Sequence, residues 1–394
     1  MARILKNRRL VDILTALGLL GAIAALLFYP AEAVAAAKSG LELCGNVIIP
    51  SLFPFFVLSS LCVELGLIRR LGRSLEPVME PLFGVGGACS AAFALGIIGG
   101  YPVGARTAIA LYEKGACSKK EAERLLAFCN NSGPAFILGV VGAGVFRSSR
   151  VGVVLYLVHV VSSILVGVLF RVFSGRGTRG AAVREQAGER MSFPAAFTKS
   201  VKDAFSSALS ICGFVIFFTV VIRILFLSGA MAAAAGLLGT VLRPLGIGRE
   251  WAEKLLIGAI EMSSGVWSLQ SASGTLTGRM AMAAFILGWA GVSVHCQVLS
   301  FIGSSGLSTR PYLLGKLLHG GISAALTAAV CRFVPLGQAA TSFYASQVAA
   351  IAQADFSSSL RASATACGVI LLLLFSCAAL CPKKRAGKAG AHIV

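Results

Sequence analysis

The sequence GIIGGYPVGAR, residues 96–106, interrupts an apolar stretch that extends from Pro81 to Tyr112. Glycines and a proline break helical geometry, and broken backbone is tolerated at membrane depth only where protein buries it or it lines a cavity. A second apolar stretch, from Trp251 to Leu276, is interrupted by the sequence EMSSG, residues 261–265. Each stretch is too interrupted for one straight helix and too short for two spans, so we predict that both form re-entrant hairpins.

The composition predicts that these hairpins lie in a membrane. Of the 394 residues, 57% are hydrophobic and 13% are charged, and the mean hydropathy is +0.84. Soluble domains carry about 25% charged residues, so this chain has too few to cover a globule in water. Eight apolar runs approach the roughly 20 residues that a spanning helix needs. They cover residues 11–29, 46–67, 125–146, 151–171, 207–228, 281–303, 312–334 and 362–381.

Basic residues between the apolar runs predict the orientation of the chain. The net charge is +19, and cytoplasmic loops of membrane proteins are enriched in lysine and arginine. If both termini are cytoplasmic and 81–112 is re-entrant, the basic linker at 172–202 also lies in the cytoplasm. The loop at 335–355 then lies outside, and it contains no lysine or arginine. The exceptions to this topology, all placed outside, are Arg243, Arg249, Lys254 and Arg279.

The N-terminus admits two interpretations. A basic segment at 1–9 precedes an apolar run, as in a secretory signal sequence, and residues 31–37 offer small-residue cleavage sites. The apolar run is also close to the length that crosses a bilayer, so we expect an uncleaved transmembrane helix.

Three pairs of features recur along the chain at an offset of about 162 residues. The sequences PSLFPFF at 50–56 and ICGFVIFF at 211–218 form the first pair, and the hairpin breaks form the second. The third pair is the polar breaks NNSGP at 130–134 and SVHCQ at 293–297. Each repeat holds three crossings, and an odd number inverts the second copy relative to the first. Inverted repeats with broken helices are the architecture of many secondary transporters.

The repeats divide the chain into five predicted segments. An N-terminal transmembrane helix at 1–40 precedes the first repeat at 41–171. A basic cytoplasmic linker at 172–202 leads to the second repeat at 203–334. An extracytoplasmic loop, the last transmembrane helix and a basic tail complete the chain at 335–394.

The four breaks carry the candidate substrate-binding residues. Polar groups at membrane depth cost free energy unless they pair or face a cavity, so they are candidates for function. Three carboxamides, several hydroxyls, one carboxylate and one imidazole share these segments. The predicted site comprises Gly99, Gly100, Tyr101, Pro102, Gly104, Arg106, Asn130, Asn131, Ser132, Gly133, Pro134, Glu261, Ser263, Ser264, Gly265, Ser293, His295 and Gln297.

The charged and titratable candidates also have structural interpretations. Arg106 could extend to the cytoplasmic interface instead of the solute, and Pro134 could kink a helix whose amides are satisfied by its neighbours. Glu261 could lie in water at a hairpin mouth, or be protonated or paired inside the membrane. His295 could relay protons because histidine titrates near neutrality, although a lone histidine in a span is more often a hydrogen-bonded structural residue.

Several classes of function lack support in the sequence. The basic residues are spread between apolar runs, which argues against nucleic-acid binding. No GxxxxGK[ST] motif occurs, so we do not expect ATP-driven transport by this chain alone. The eleven cysteines form no CxxC pair and lie mostly in apolar runs, so we expect no metal site and no disulfide framework. We expect no enzyme activity and no cofactor.

Five motifs resemble one family of membrane proteins. The sequences IIPSLFPFF, GIIGGYPVGAR, FCNNSGPAFILGVVG, GAIEMSSG and SVHCQVLSFIG occur in this order between Leu41 and Gly320. They resemble the YlbJ family of sporulation integral membrane proteins, which carries the nucleoside-recognition Gate domain and is related to concentrative nucleoside transporters. The resemblance implies an all-α polytopic fold of two inverted repeats with broken helices and two re-entrant hairpins.

The resemblance also implies a function in transport. For the sporulation branch it implies movement of dipicolinate, a small aromatic dianion, from mother cell towards forespore. Because the family often has Thr-Asn where this chain has Ser263 and Ser264, the solute stays open. The alternatives are a nucleoside transporter and a non-transporting membrane scaffold or gate component for sporulation. We expect a secondary-type transporter of a small polar solute, with a proton or a sodium ion as coupling ion and with a homo-oligomer as an option.

We expect the solute to be an anion. Helix N-termini near Gly104 and Pro134 favour a carboxylate, and Arg106 adds a positive charge if it points inward. Inversion brings equivalent depths of the two repeats together at the pseudo-two-fold axis. The residues expected to converge there on one cavity are Asn130, Asn131, Glu261 and Gln297.

Cysteine labelling tests the inverted topology. Lys114→Cys should react with a membrane-impermeant thiol reagent from the cytoplasm, and Gly278→Cys should react from outside, because the two hairpins enter from opposite faces. The reaction of each variant is compared with that of the wild-type cysteines. Labelling of both variants from one side would contradict the inverted repeats.

Overall fold

The computed structural model describes residues 8–65, 67–174 and 192–334, together with positions 361, 365, 368, 369 and 372. Helices dominate this part of the chain, which contains no β-strand, and the predicted all-α class is confirmed. The α-helices are α1 (Arg8–Phe28), α2 (Pro30–Leu43), α3 (Ile49–Glu64), α4 (Leu67–Phe83), α5 (Ser90–Gly99), α6 (Val103–Glu113), α7 (Lys119–Leu126), α8 (Ser149–Ser174), α9 (Phe193–Leu227), α10 (Ala230–Leu242), α11 (Arg249–Ile260), α12 (Met262–Ser268), α13 (Leu276–Trp289), α14 (Gly291–Ser305) and α15 (Arg310–Phe333). Cys44–Ile48 and Ala135–Val145 are π-helical, and Gly87–Cys89, Arg243–Leu245 and Leu269–Ser271 are 3₁₀ turns.

Five helical stretches of the described chain are long and apolar enough to cross a membrane. Three of them, α8, α9 and α15, contain the spans predicted at 151–171, 207–228 and 312–334. α13 and α14 together form the fourth and contain the span predicted at 281–303. A bent pair, Leu75–Phe83 with Gly87–Gly99, turns by 106° and forms a sixth span if it crosses as one unit. The last predicted span, 362–381, lies outside the continuously described residues.

The structure differs from the predicted boundaries in two places. The fifth apolar stretch runs from Pro30 to Cys62, so the span predicted to begin at residue 46 begins earlier and crosses the predicted boundary after residue 40. α10 lies between the span predicted at 207–228 and the apolar stretch that begins at Trp251, where no helix is predicted. Both α2 and α10 are rich in alanine. Alanine strongly favours helix, but it contributes little to the hydrophobicity by which spans are recognised in a sequence.

Both predicted hairpin breaks fold the chain back on itself. α5 and α6 pack so closely that a Cβ atom on Gly104 would lie 2.9 Å from the Cα atom of Gly96. α11 and α12 pack in the same way, because a Cβ atom on Gly265 would lie 2.2 Å from the Cα atom of Gly258. Each helical hairpin is therefore closed by contact between two glycine backbones, and its entry side in the membrane stays a prediction.

The two polar breaks differ in form. In the first half, residues 127–133 are non-helical. They separate α7 from the π-helix Ala135–Val145, called the π-helical segment below, and they interrupt the span predicted at 125–146. In the second half, the break lies at Ala290 and Gly291, which have φ angles of 81° and 80°. The break predicted at 293–297 is wrong by three residues, because two left-handed residues end α13 and the following polar residues fit within α14.

Each hairpin tip packs against the break of its own half. A Cβ atom on Gly100 would lie 2.9 Å from the main-chain nitrogen of Gly133, and one on Gly291 would lie 3.0 Å from the main-chain nitrogen of Met262. The two halves meet along α2 and α9. Gly40 of α2 lies against Ile216, and Cys44, which directly follows α2, approaches the Cys212 carbonyl with its thiol at 4.0 Å. These two contacts show that the helices run antiparallel. All four breaks are thereby brought to one region.

Replacing Gly104 with alanine should destabilise the first hairpin. The added Cβ atom would lie 2.1 Å from the main-chain oxygen of Cys129, and overpacking of this kind costs about 1–3 kcal/mol. Thermal unfolding of the purified protein in detergent measures the loss. Gly321→Ala is the matched control, because no atom lies within 4 Å of its added Cβ. Equal unfolding temperatures for the two variants would contradict the close contact.

Candidate functional site

One cavity lies where the hairpin tips meet the broken spans. Its cavity volume is about 50 Å³. Both halves of the chain contribute to its wall, so it has the position expected of a site between inverted repeats. The predicted site residues that line it are Gly99, Gly100, Tyr101, Ser132, Gly133, Glu261, Ser263, Ser293 and Gln297.

Aromatic and aliphatic side chains form the rest of the wall. Phe55 and Phe56 of α3 face the cavity from one side, and Phe214 of α9 lines it as well. These residues come from the sequences PSLFPFF and ICGFVIFF, which the sequence pairs as repeats without marking them as site residues. The other apolar lining residues are Leu52, Ala135, Phe136, Ile211, Val215, Met262 and Val294.

Four helices begin at this cavity. α6 starts after the tip residues Gly100 and Tyr101, and the π-helical segment starts at Ala135. α12 and α14 start in the second half, where Met262 and Ser293 line the cavity. The N-terminus of a helix carries a partial positive charge and main-chain N–H groups that lack partners within the helix. Side chains accept first-turn N–H groups at two of these four: Glu261 at α12, and Asn130 at α6 through the Ala105 N–H.

The Glu261 carboxylate is the cap of α12. It accepts hydrogen bonds from the main-chain N–H groups of Ser263 at 2.9 Å and Ser264 at 2.6 Å. The side chain is 2% exposed, so the expectation of a buried carboxylate holds and the alternative of a watery hairpin mouth does not. These two bonds offset part of the cost of burying the carboxylate.

The two asparagines support the first break from behind the cavity. The Asn131 side-chain amide donates to the Phe128 carbonyl at 3.0 Å and to the Ser163 hydroxyl at 3.3 Å. The Ala105 N–H donates to Asn130 Oδ1 at 3.4 Å. Neither asparagine lines the cavity, so of the four residues predicted to converge there, only Glu261 and Gln297 do so.

Arg106 does not point into the cavity. Its side chain is exposed, and the guanidinium carbon lies 5.3 Å from the centre of the Phe301 ring. The expectation that Arg106 supplies a positive charge to the site is therefore wrong in this structure.

The remaining predicted residues shape the elements around the cavity. His295 is 4% exposed and its Nδ1 atom lies 2.9 Å from the Tyr312 hydroxyl, as expected of a structural histidine. The Ser264 hydroxyl lies 3.3 Å from the Thr219 hydroxyl. The predicted residues outside the cavity lining are Pro102, Gly104, Arg106, Asn130, Asn131, Pro134, Ser264, Gly265 and His295.

A buried polar cluster adjoins the cavity, and the sequence analysis missed it. Lys316 of α15 is 1% exposed, and its ammonium group donates to the Tyr101 hydroxyl at 2.8 Å and to the Asn130 carbonyl at 2.9 Å. His319 and His159 are also 1% exposed, and their rings lie 4.3 Å apart. The available signal was a lysine three residues before a histidine in an otherwise apolar span, which marks a functional candidate.

Two comparisons of sequence agree with the resemblance seen in the motifs. Residues 47–173 match the family model for Gate, described as nucleoside recognition. The chain is 29% identical over 314 residues to the sporulation integral membrane protein YlbJ of Bacillus subtilis, with 75% of this chain and 77% of YlbJ covered. The resemblance to the YlbJ family is thus confirmed.

Solved structures of a concentrative nucleoside transporter share the fold. A CNTnw variant in the intermediate 2 state matches with a TM-score of 0.52 and 13% identity, over 84% of this chain and 88% of CNTnw. The intermediate 3 state matches with a TM-score of 0.50 and 12% identity, over 85% and 90% of the two chains. The chain is therefore a multi-pass integral membrane protein with a transporter-like fold.

Removing the cap of α12 should destabilise the second hairpin in a graded way. Glu261→Ala removes both acceptors, and losing a cap costs about 0.5–2 kcal/mol. Glu261→Gln keeps one acceptor oxygen, so its unfolding temperature should lie between those of Glu261→Ala and the wild type. Glu42→Ala, at an exposed position of α2, is the control. An unchanged unfolding temperature in Glu261→Ala would contradict the capping role.

Proposed function

We propose that this protein is a secondary-type transporter of a small polar solute and that the solute is an anion. The observation that carries the proposal is the convergence of helix N-termini on one cavity, of which those of the π-helical segment Ala135–Val145 and of α14 have no side-chain cap. Each terminus is equivalent to about half a positive charge and stabilises a nearby anion by roughly 0.3–2 kcal/mol. These termini favour a carboxylate without any basic side chain in the lining.

The hydrogen-bonding groups of the lining support the same assignment. The Ser132 hydroxyl makes no hydrogen bond to the described chain, although the residue is 1% exposed and lines the cavity. Ser293 and Gln297 add a hydroxyl and an amide from the opposite half. Glu261 opposes an anion, but its carboxylate already accepts two N–H groups of α12. The N-termini of the π-helical segment Ala135–Val145 and of α14 therefore remain for the solute.

The apolar wall suits a flat aromatic ring. Phe55, Phe56 and Phe214 line the cavity with Phe136 of the π-helical segment, and aromatic side chains stack on rings at separations of about 4.5–7 Å. A small aromatic carboxylate combines such a ring with negative charge. Dipicolinate is the first candidate, because the curated relative is named as a sporulation integral membrane protein.

A nucleoside is the second candidate. Glu261 and Gln297 offer acceptors and donors that suit a sugar hydroxyl or a base edge, and the matching family model is described as nucleoside recognition. A neutral solute would gain little from the partial positive charge of the uncapped helix N-termini, so we place it second. A non-transporting scaffold would have no use for a polar cavity between its two halves.

The topology belongs to the same proposal. The closed hairpins α5–α6 and α11–α12 would be re-entrant from opposite faces of the membrane, with both chain termini in the cytoplasm. The antiparallel contact of α2 with α9 supports this inversion. Alternating exposure of the cavity to the two faces would then move the solute.

Binding of dipicolinate and uridine to the purified protein tests the proposed solute. The wild type should bind dipicolinate more tightly than uridine. Gln297→Glu adds a negative charge at nearly constant shape, so it should weaken dipicolinate binding by at least about tenfold and change uridine binding much less. Calorimetry in detergent measures both affinities.

Arg106→Gln is the control for this experiment. Its side chain lies outside the cavity, so dipicolinate binding should stay within about twofold of the wild type. Tighter binding of uridine than of dipicolinate by the wild type would falsify the anion assignment and favour the nucleoside.

A further inference from the structure

Lys316 has three hydrogen-bond acceptors and no acidic partner within the described residues. Its Nζ atom lies 2.8 Å from the Tyr101 hydroxyl, 2.9 Å from the Asn130 carbonyl and 3.3 Å from Nδ1 of His319. None of these acceptors is a carboxylate. Burial of an unpaired ammonium is costly, so a lysine in this position is suited to gain and lose a proton rather than to hold a structural charge.

The hydrogen bonds define the tautomers of the neighbouring histidines. His319 Nε2 lies 2.9 Å from the His159 carbonyl, which can only accept, so Nε2 carries a hydrogen and the neutral ring leaves Nδ1 free to accept from Lys316. His159 Nε2 accepts the main-chain N–H of Ser132 at 3.0 Å, so its hydrogen lies on Nδ1, which has no partner in the described chain. The Lys316 Nζ–His319 Nδ1 pair can therefore share one proton.

The elements packed around Lys316 contribute few other titratable groups. α13 approaches this cluster at Leu287, whose carbonyl accepts a hydrogen bond from the Tyr101 hydroxyl. The one ionisable residue of α13, Arg279, lies about two turns earlier in the helix. Four ionisable side chains of α7 bond elsewhere, and the fifth, Lys120, is exposed. Lys119 bonds to Gly306, Glu121 to Ser118 and Gly86, Glu123 to Ser308, and Arg124 to Gly84. The titratable groups that face Lys316 are Tyr101, Cys129, His159, His295, Tyr312 and His319.

We propose that Lys316 and His319 bind the proton that this protein transports together with its solute. The inference rests on the proposed function and deepens it, because it identifies the coupling ion and its site. The site joins two elements of the first half: Tyr101 lines the cavity at the tip of the first hairpin, and Asn130 lies in the first break behind the cavity. Its ligand is a proton from water and not a metal cation.

The proton would hold the hairpin tip on the break. The ammonium group has three N–H donors for its three acceptors, whereas the neutral amine has two donors and one lone pair. On release, one N–H bond of Lys316 breaks, the electron pair stays on Nζ, and the proton passes to cavity water as hydronium. One of the contacts to Tyr101, Asn130 and His319 is then lost, which loosens the tip.

The sign of the coupling follows from Coulomb attraction. An anion in the cavity stabilises a positive charge nearby, more strongly in a low-dielectric interior than in water. Binding is reciprocal, so a bound proton raises the affinity for the anion by the same factor. Solute and proton therefore move in the same direction.

Uptake by full-length protein in proteoliposomes tests the proton site. An inward dipicolinate gradient should acidify the lumen of wild-type vesicles, as reported by an enclosed pH dye, at the same rate with sodium or choline outside. Lys316→Arg keeps a positive charge but cannot release it at these pH values. It should lose acidification and net uptake by at least about tenfold, while exchange of labelled for unlabelled dipicolinate stays within about threefold.

Two further variants keep the test decisive. Lys316→Met should behave as Lys316→Arg in net uptake, and Ser323→Ala, a buried position two turns further along α15, should behave as wild type. Coupled uptake by Lys316→Arg at the wild-type rate would show a structural cation and overturn the proposal. Sodium-dependent uptake without acidification would overturn it as well.

A measurement without solute separates this proposal from the proposed function. The unfolding temperature of the purified wild type should change with pH between pH 5 and pH 10 as one group titrates. Both Lys316 variants should lack this change, and the control Ser323→Ala should show it. If the wild type fails to bind dipicolinate but shows this titration, the solute assignment fails and the proton site stands. If wild type and Lys316 variants respond equally to pH, the proton site fails whatever the solute.

Discussion

Contact between the main chains of hairpin tips and helix breaks is the constraint on which the structure depends. A bilayer offers no hydrogen-bond partners to broken backbone, so each break must be buried in protein or line a cavity. Gly100 against Gly133 and Met262 against Gly291 bring the broken backbones together in each half. Residues without side chains are required at these contacts, because a Cβ atom would lie about 3 Å from main-chain atoms.

The chemistry of the cavity follows from the same contacts. A helix that is broken and restarted exposes a second N-terminus, and two hairpins with two broken spans supply four of them. Glu261 caps the one that starts α12 and Asn130 accepts from the first turn of α6, which leaves two without a side-chain cap at the cavity. Behind the contact between Gly100 and Gly133, Lys316 hydrogen-bonds to both Tyr101 of the first hairpin tip and Asn130 of the first break. A change in its protonation would act directly on the contact that closes the cavity.

The sequence predicted the positions of the helix breaks better than the contacts that the surrounding side chains make. Clusters of glycine, proline, serine and asparagine in apolar runs identified both hairpins and the first break. The second break was misplaced because Ala290 adopts a left-handed conformation that residue type does not signal. The direction of Arg106 and the convergence of Lys316 with His159 and His319 depend on tertiary packing between segments about 160 residues apart, which a single sequence does not encode locally.

Thiol labelling of the cavity tests the central claim, that both halves form one electropositive site. Ser132→Cys and Ser263→Cys place a thiol in the first and second half of the lining. Each is reacted with a methanethiosulfonate bearing either a sulfonate or a trimethylammonium group, and the rate ratio is normalised to that of a small thiol in solution. Both cysteines should prefer the anionic reagent relative to the free thiol. Preference of either cysteine for the cationic reagent, or reaction in only one half, would contradict the account.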